Sequence, residues 1–279
     1  MRIARALAAA CALLAVAAHA EPTPETVWIA MPEAGLAAPL RLEATLYKPT
    51  GAGRFPVVLF NHGSSGGPIP PTYTENPRAL AGFLNERGIA LIVPMRRGRG
   101  KSEGVNQEEP SACTVASARQ GIAYAAGAVD ATFAFLRAQP WADMDRLVLA
   151  GHSRGGVLAA VYAGEHPGVA KGVINFSGGW KNDTCGEQDI NLALFDGAGR
   201  RAGGPAIFLY GRGDGFYADA SMDNYARSYR DAGGKVDFRL YQVSGFNGHL
   251  LYRRGLPLWE HDLDGFLRAV GMVGGATAR

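Results

Sequence analysis

Leu147-Val148-Leu149-Ala150-Gly151-His152-Ser153-Arg154-Gly155-Gly156-Val157-Leu158-Ala159-Ala160 is the stretch that decides the fold. Its first four residues suit a strand buried on both faces, and residues 155–165 suit an apolar helix. One serine stands at the junction, with glycine two residues before it and two residues after. A strand that turns straight into a helix forces backbone against backbone, and a Cβ at either of those positions would collide. The turn also lifts the serine hydroxyl clear of the sheet and aims the first N–H groups of the helix at whatever that oxygen attacks. The string Gly-x-Ser-x-Gly is not specific by itself in a chain with 38 glycines among 279 residues. Gly63-Ser64-Ser65-Gly66-Gly67 fits it too, but Pro68, Pro70 and Pro71 follow and stop a helix from starting there. Only Ser153 has strand before it and helix after it.

Upstream, residues 26–31 and 40–47 are short β-prone runs with partial alternation, which predicts an antiparallel pair at a sheet edge. Residues 56–60 and 89–93 read as buried strands separated by a helix over about 77–87. A long Ala-rich helix is expected over about 111–138, stopped by Pro140. Downstream, strands are expected at 169–176, 206–210 and 236–243, and helices at 218–232 and 257–270. Residues 177–204 carry seven glycines and read as irregular, too short for a large cap domain. Alternating strands and helices imply a mostly parallel central sheet covered on both faces, one α/β domain.

Arg2 and Arg5 precede an apolar run at 6–18 that ends in Ala18-His19-Ala20, the pattern of a secretory signal peptide. Residues 1–20 are therefore read as a leader and 21–279 as one catalytic domain, exported to the periplasm or beyond, with no membrane anchor after cleavage. Losing two arginines takes the formal net charge from +3 to +1, a balance that does not suggest nucleic acid. Cys113 and Cys185 remain as an even pair, and in an oxidising compartment they are expected to form one disulfide.

A serine hydroxyl attacks well only when a base takes its proton, and the base needs a carboxylate to orient it. In open α/β sheets such groups gather at the carboxyl ends of strands. The strand at 206–210 exits into Gly211-Arg212-Gly213-Asp214-Gly215, and the strand at 236–243 exits into Gly245-Phe246-Asn247-Gly248-His249. The expected triad is Ser153, Asp214 and His249, with Asp196 and Asp219 as rival acids. His62 is expected to hold a glycine turn by hydrogen bonds, His152 to point away from the serine, and His166 to end a helix. Oxyanion donors are expected from the N–H of Arg154 and from Ser64, with Ser65 the alternative. Tyr73, Trp180, Phe216, Tyr217 and Phe246 sit on loops and are candidates to line the substrate site. Arg96, Arg97, Arg99 and Lys101 either attract an anionic substrate or brace their loop.

Together, Asn61-His62-Gly63-Ser64-Ser65-Gly66, Arg97-Gly98-Arg99-Gly100-Lys101-Ser102, Gly151-His152-Ser153-Arg154-Gly155, Tyr210-Gly211-Arg212-Gly213-Asp214 and Gly248-His249 resemble the α/β-hydrolase superfamily. The likeness is to its dienelactone hydrolase-like branch, over roughly residues 40–270. Dienelactone hydrolases carry cysteine at the elbow, whereas this chain carries Ser153, which points to the serine esterases and peptidase-like hydrolases similar to that branch. The resemblance implies a small-molecule ester substrate, with a peptidase or amidase as the alternative. It also implies no metal and no organic cofactor, and the chain shows neither zinc-ligand spacing nor a dinucleotide fingerprint.

Overall fold

In strand β3 (Phe55–Asn61) consecutive side chains leave opposite faces of the sheet, and both faces are dry. Val57 and Leu59 join one apolar cluster, while Val58 and Phe60 join the other. Strand β5 (Ala142–His152) does the same, with Leu147 and Leu149 on one side and Val148 and Ala150 on the other. A strand with two buried faces has no use for polar alternation, which explains the continuous apolar runs. The structure, a computed structural model, describes residues 23–64, 73–108, 112–181 and 188–274. The expected leader at 1–20 and Cys185 lie outside the described residues.

Around β3 and β5 the sheet is completed by β1 (Glu25–Met31), β2 (Leu40–Tyr47), β4 (Ala90–Pro94), β6 (Val173–Phe176), β7 (Ala206–Gly211) and β8 (Val236–Tyr241). The order is β1-β2-β4-β3-β5-β6-β7-β8. β1 pairs with β2 and β2 with β4 in antiparallel fashion, and every other pairing is parallel. The antiparallel edge and the parallel body match the sequence expectation.

Helices α2 (Val115–Arg137), α3 (Arg154–Glu165), α4 (Gln188–Arg200) and α5 (Asp219–Asp231) cover the face that contains Leu149 and Phe208. Helices α1 (Arg78–Asn85), α6 (Leu251–Arg254) and α7 (Leu256–Ala269) cover the other, around Phe176 and Trp259. Thr114 caps α2 by accepting the Ser117 N–H, so that helix starts later than its Ala-rich composition suggested.

One expectation needs correction: the segment 177–204 is not irregular throughout, because it contains α4. Its glycines misled the reading. A Cβ on Gly199 would stand 2.2 Å from the Tyr229 carbonyl oxygen of α5. On the α3 side, a Cβ on Gly164 would stand 3.0 Å from the Ala198 oxygen of α4. Glycine here permits close helix packing; it does not break a helix. Phe195 anchors α4, fully buried, with ring centroids 5.2 Å from Phe208 and 5.6 Å from Tyr225. Phe195→Ala is expected to cost about 3–5 kcal/mol through the cavity it leaves. Urea unfolding would show this as a lower midpoint with an unchanged slope.

Candidate active site

Ser153 sits between β5 and α3 with φ 55 and ψ −125, in a region non-glycine residues rarely enter. Such a conformation costs about 1–3 kcal/mol and persists only where its surroundings enforce it. Here they do. A Cβ on Gly151 would lie 2.1 Å from the Gly155 oxygen, and one on Gly155 would lie 2.0 Å from the Asn61 oxygen. A third glycine has the same constraint: on Gly156 a Cβ would lie 2.2 Å from Asn175 Oδ1. The Ser153 N–H donates to the Phe176 carbonyl, and its own carbonyl accepts from Gly156 and Gly179.

Asp214 and His249 meet as the strand-exit argument requires. His249 Nδ1 donates to Asp214 Oδ2 at 2.8 Å, and the carboxylate is wholly buried. Asp214 Oδ1 accepts from the backbone N–H groups of Phe216 at 2.7 Å and Tyr217 at 3.2 Å. One oxygen is thus held by its own loop and the other is left for the imidazole. A carboxylate bonded this way fixes the ring in the Nδ1–H tautomer, leaving Nε2 as the nitrogen without a hydrogen.

Two residues that support His249 escape sequence reasoning. Asn247 Oδ1 accepts from the His249 N–H at 2.9 Å and the Gly215 N–H at 3.0 Å, tying the base loop to the acid loop. Its signal was the cap position before a short 3-10 turn, Gly248–Leu250. His152 does not simply diverge from the chemistry. Its Nε2 donates to the His249 carbonyl at 2.8 Å, and its ring packs between Tyr252 and His249 at centroid distances of 4.2 and 4.6 Å. No local pattern could announce a contact across 97 residues.

The β3 exit lies against the elbow, since a Cβ on Gly63 would stand 3.1 Å from Ser153 Cβ. Ser64 follows it, half-buried, while Ser65 lies outside the described residues. Arg154 opens α3, where the first N–H groups have no acceptor within the helix. Its side chain turns away to the Lys181 carbonyl at 2.6 Å and stands over the Trp180 ring.

Of the aromatic candidates, Phe216 is 39% exposed with its ring 4.4 Å from that of His249. Phe246 is half-buried on the loop beyond β8. Tyr73 is bonded to Glu75 and Arg253. Trp180 and Tyr217 are interior, part of the cluster beneath the sheet. Both rival acids are engaged elsewhere, Asp196 with Arg200 and Asp219 with Arg212.

The basic loop braces itself. Arg96 is buried and forms a two-pronged pair with Glu108 at 2.7 and 3.0 Å, and it also donates to the His62 carbonyl. Arg97 reaches Glu33 and stacks on Tyr124, Arg99 is buried, and Lys101 faces Glu43. His62 Nδ1 donates to the Gly63 carbonyl, and Nε2 accepts the Arg96 N–H. It holds the glycine turn, as expected. Burial, then the Arg96 charge, push the His62 pKa down to about 3. Burial, then His249, hold His152 well below its ordinary value. Burial would raise Glu108, but Arg96 outweighs it and brings that carboxyl to about 2.

A mostly parallel sheet bearing a strained serine elbow after β5 and an acid–histidine pair on the exits of β7 and β8 defines an α/β-hydrolase. The chain belongs to the dienelactone hydrolase family, whose model matches residues 42–249, and the family is one of hydrolases. It is 30% identical over 128 residues to a proposed carboxymethylenebutenolidase of Methylorubrum extorquens, a match covering 45% of this chain and 42% of that relative. The match thus spans less than half the relative's length. The fold is similar to that of the ferulic acid-bound Est1E of Butyrivibrio proteoclasticus, with TM-score 0.61, 16% identity, and coverage of 87% of this chain and 98% of that one. It is also similar to an acylaminoacyl peptidase of Pyrococcus horikoshii, with TM-score 0.61, 19% identity, and coverage of 88% of this chain and 41% of that one.

His62 and His152 are neutral when folded but take up protons near pH 6.5 once unfolded. Below that point the unfolded chain binds more protons, so stability falls as pH falls, until the folded-state pKa is passed at about 3 for His62. His62 alone is expected to cost about 2–3 kcal/mol on going from about pH 7 to about pH 4.5. Urea titrations at the two pH values measure it, and equal stabilities would contradict the assignment.

Proposed function

We propose that the protein is a serine-dependent carboxylic-ester hydrolase that works through an acyl-enzyme on a small-molecule ester. The observation that carries this reading is the 2.8 Å His249–Asp214 contact, made on strand exits beside a serine elbow. Ser153 Oγ attacks the ester carbonyl carbon as its proton passes to His249 Nε2. The carbonyl electron pair moves onto oxygen, where the N–H groups of Arg154 and Ser64 receive the charge. Asp214 holds the imidazolium. The C–O bond to the alcohol breaks, and the alcohol leaves with the proton from His249. Water then gives a proton to His249, attacks the acyl carbon and releases the acid, and Ser153 recovers its proton.

Phe216, beside His249 and partly open, is the wall we assign to the acyl or alcohol group. Residues 1–20 are proposed as a cleaved leader and Cys113–Cys185 as a disulfide of the exported protein. A mature chain beginning at Glu21, with a mass two hydrogens lighter before reduction than after, is the expected result by mass spectrometry.

Short-chain nitrophenyl esters should be hydrolysed and a fluorophosphonate should label Ser153. Ser153→Ala should abolish both while the thermal midpoint stays close to that of the wild type. Asp214→Asn should lower kcat roughly ten-thousand-fold, because the amide favours the wrong imidazole tautomer. Peptide anilides cleaved as fast as esters would move the assignment to an amidase. Absence of labelling would end the serine mechanism.

A further inference from the structure

The Tyr217 hydroxyl belongs to none of the roles just described, yet this residue touches every member of the triad. Its backbone N–H donates to Asp214 Oδ1 at 3.2 Å. Its ring lies 5.8 Å, centroid to centroid, from that of His249. Its hydroxyl is hydrogen-bonded to the hydroxyl of Ser153. The approach is built into the backbone. Gly179 donates its N–H to the Ser153 carbonyl, and a Cβ there would stand 2.6 Å from the Tyr217 oxygen and 2.5 Å from Cζ. Glycine at 179 is what lets the phenol pass beneath the β6 exit to the serine. Tyr225 packs against the Tyr217 ring edge-on, 5.9 Å between centroids, and fixes its tilt.

We propose that Tyr217 is a catalytic residue whose hydroxyl donates to Ser153 Oγ whenever that oxygen carries negative charge. The inference rests on the ester-hydrolase reading and adds a donor aimed at the nucleophile, distinct from the two aimed at the carbonyl oxygen. During attack the Ser153 proton goes to His249 Nε2, the Oγ–C bond forms and the carbonyl pair moves to its oxygen. Tyr217 keeps its own proton throughout. During deacylation the same Oγ is the leaving group; the C–Oγ bond breaks, its electron pair stays on Oγ, and His249 returns a proton to it. A donor at Oγ therefore assists both halves of the cycle. Burial, first, pushes the phenol pKa well above its ordinary value, so the hydroxyl keeps its proton.

A phenol in this place could instead accept the Ser153 proton and draw it away from His249. The two roles have opposite consequences, which makes the test decisive. Tyr217→Phe keeps the ring on His249 and the N–H on Asp214 and removes only the oxygen. The expected result is a fall of about ten- to a hundredfold in kcat for nitrophenyl acetate with KM unchanged. The second-order rate of fluorophosphonate labelling should fall by the same factor. Gly179→Ala, whose methyl would push the Tyr217 ring and hydroxyl off the serine without deleting the oxygen, should give at least a similar loss. Tyr162→Phe, which removes a buried hydroxyl from Asp130 far from the site, should leave both rates unchanged. Unchanged or faster labelling in a folded Tyr217→Phe protein overturns the inference while leaving the hydrolase reading intact. A wild-type protein that is not labelled at all overturns both.

Discussion

The whole arrangement depends on how closely three pieces of backbone approach one another under Ser153. The Asn61 oxygen from β3, the Gly155 oxygen from α3 and the end of β5 occupy space that any side chain would need. Because glycine alone fits, helix and sheet lock at one relative height, and the serine has no relaxed conformation open to it. This places the Ser153 side chain by sterics, before any polar contact is counted. It also brings the β3 exit against the start of α3, since a Cβ on Gly63 would stand 3.1 Å from Ser153 Cβ.

Charge around the site is managed by pairing or by suppression. The Arg96–Glu108 pair is buried, and beside it His62 remains neutral and works as a donor and an acceptor at once. His152 is neutral for the same reason and spends its one N–H on the backbone of His249. Both histidines thus behave as shaped amides; neither is a proton carrier. That leaves His249 as the imidazole with a carboxylate partner among the described histidines. The basic run at 96–101 is a scaffold for the neighbouring loops, with Glu33, Glu43 and Glu108 as its counter-charges.

Much of this was legible because it follows from short-range rules. Apolar runs of four to six residues marked the buried strands, the antiparallel edge showed as alternation, and the elbow glycines stood at fixed offsets from Ser153. Asp214 and His249 could be named because chemistry is confined to strand exits. What escaped depends on contacts between distant segments. Gly197 and Gly199 looked like helix breakers and are packing contacts of α4. His152 and Asn247 act on backbone groups whose positions only the folded chain defines. Trp180 and Tyr217, read as loop aromatics, lie inside because α4 and α5 close over them.

Asp214 Oδ1 takes its support from main-chain amides at 216 and 217, and Oδ2 is left to the His249 imidazole. Any residue except proline supplies those amides equally well. Asp214 is therefore insulated from the identity of residue 216, even though the Phe216 ring lies 4.4 Å from that of His249. Selection can exchange the side chain at 216 for a smaller, larger or polar one in a single step without loosening the Asp214–His249 pair behind it. A scaffold with this separation diversifies readily, its reactive core kept constant while its taste in substrates drifts.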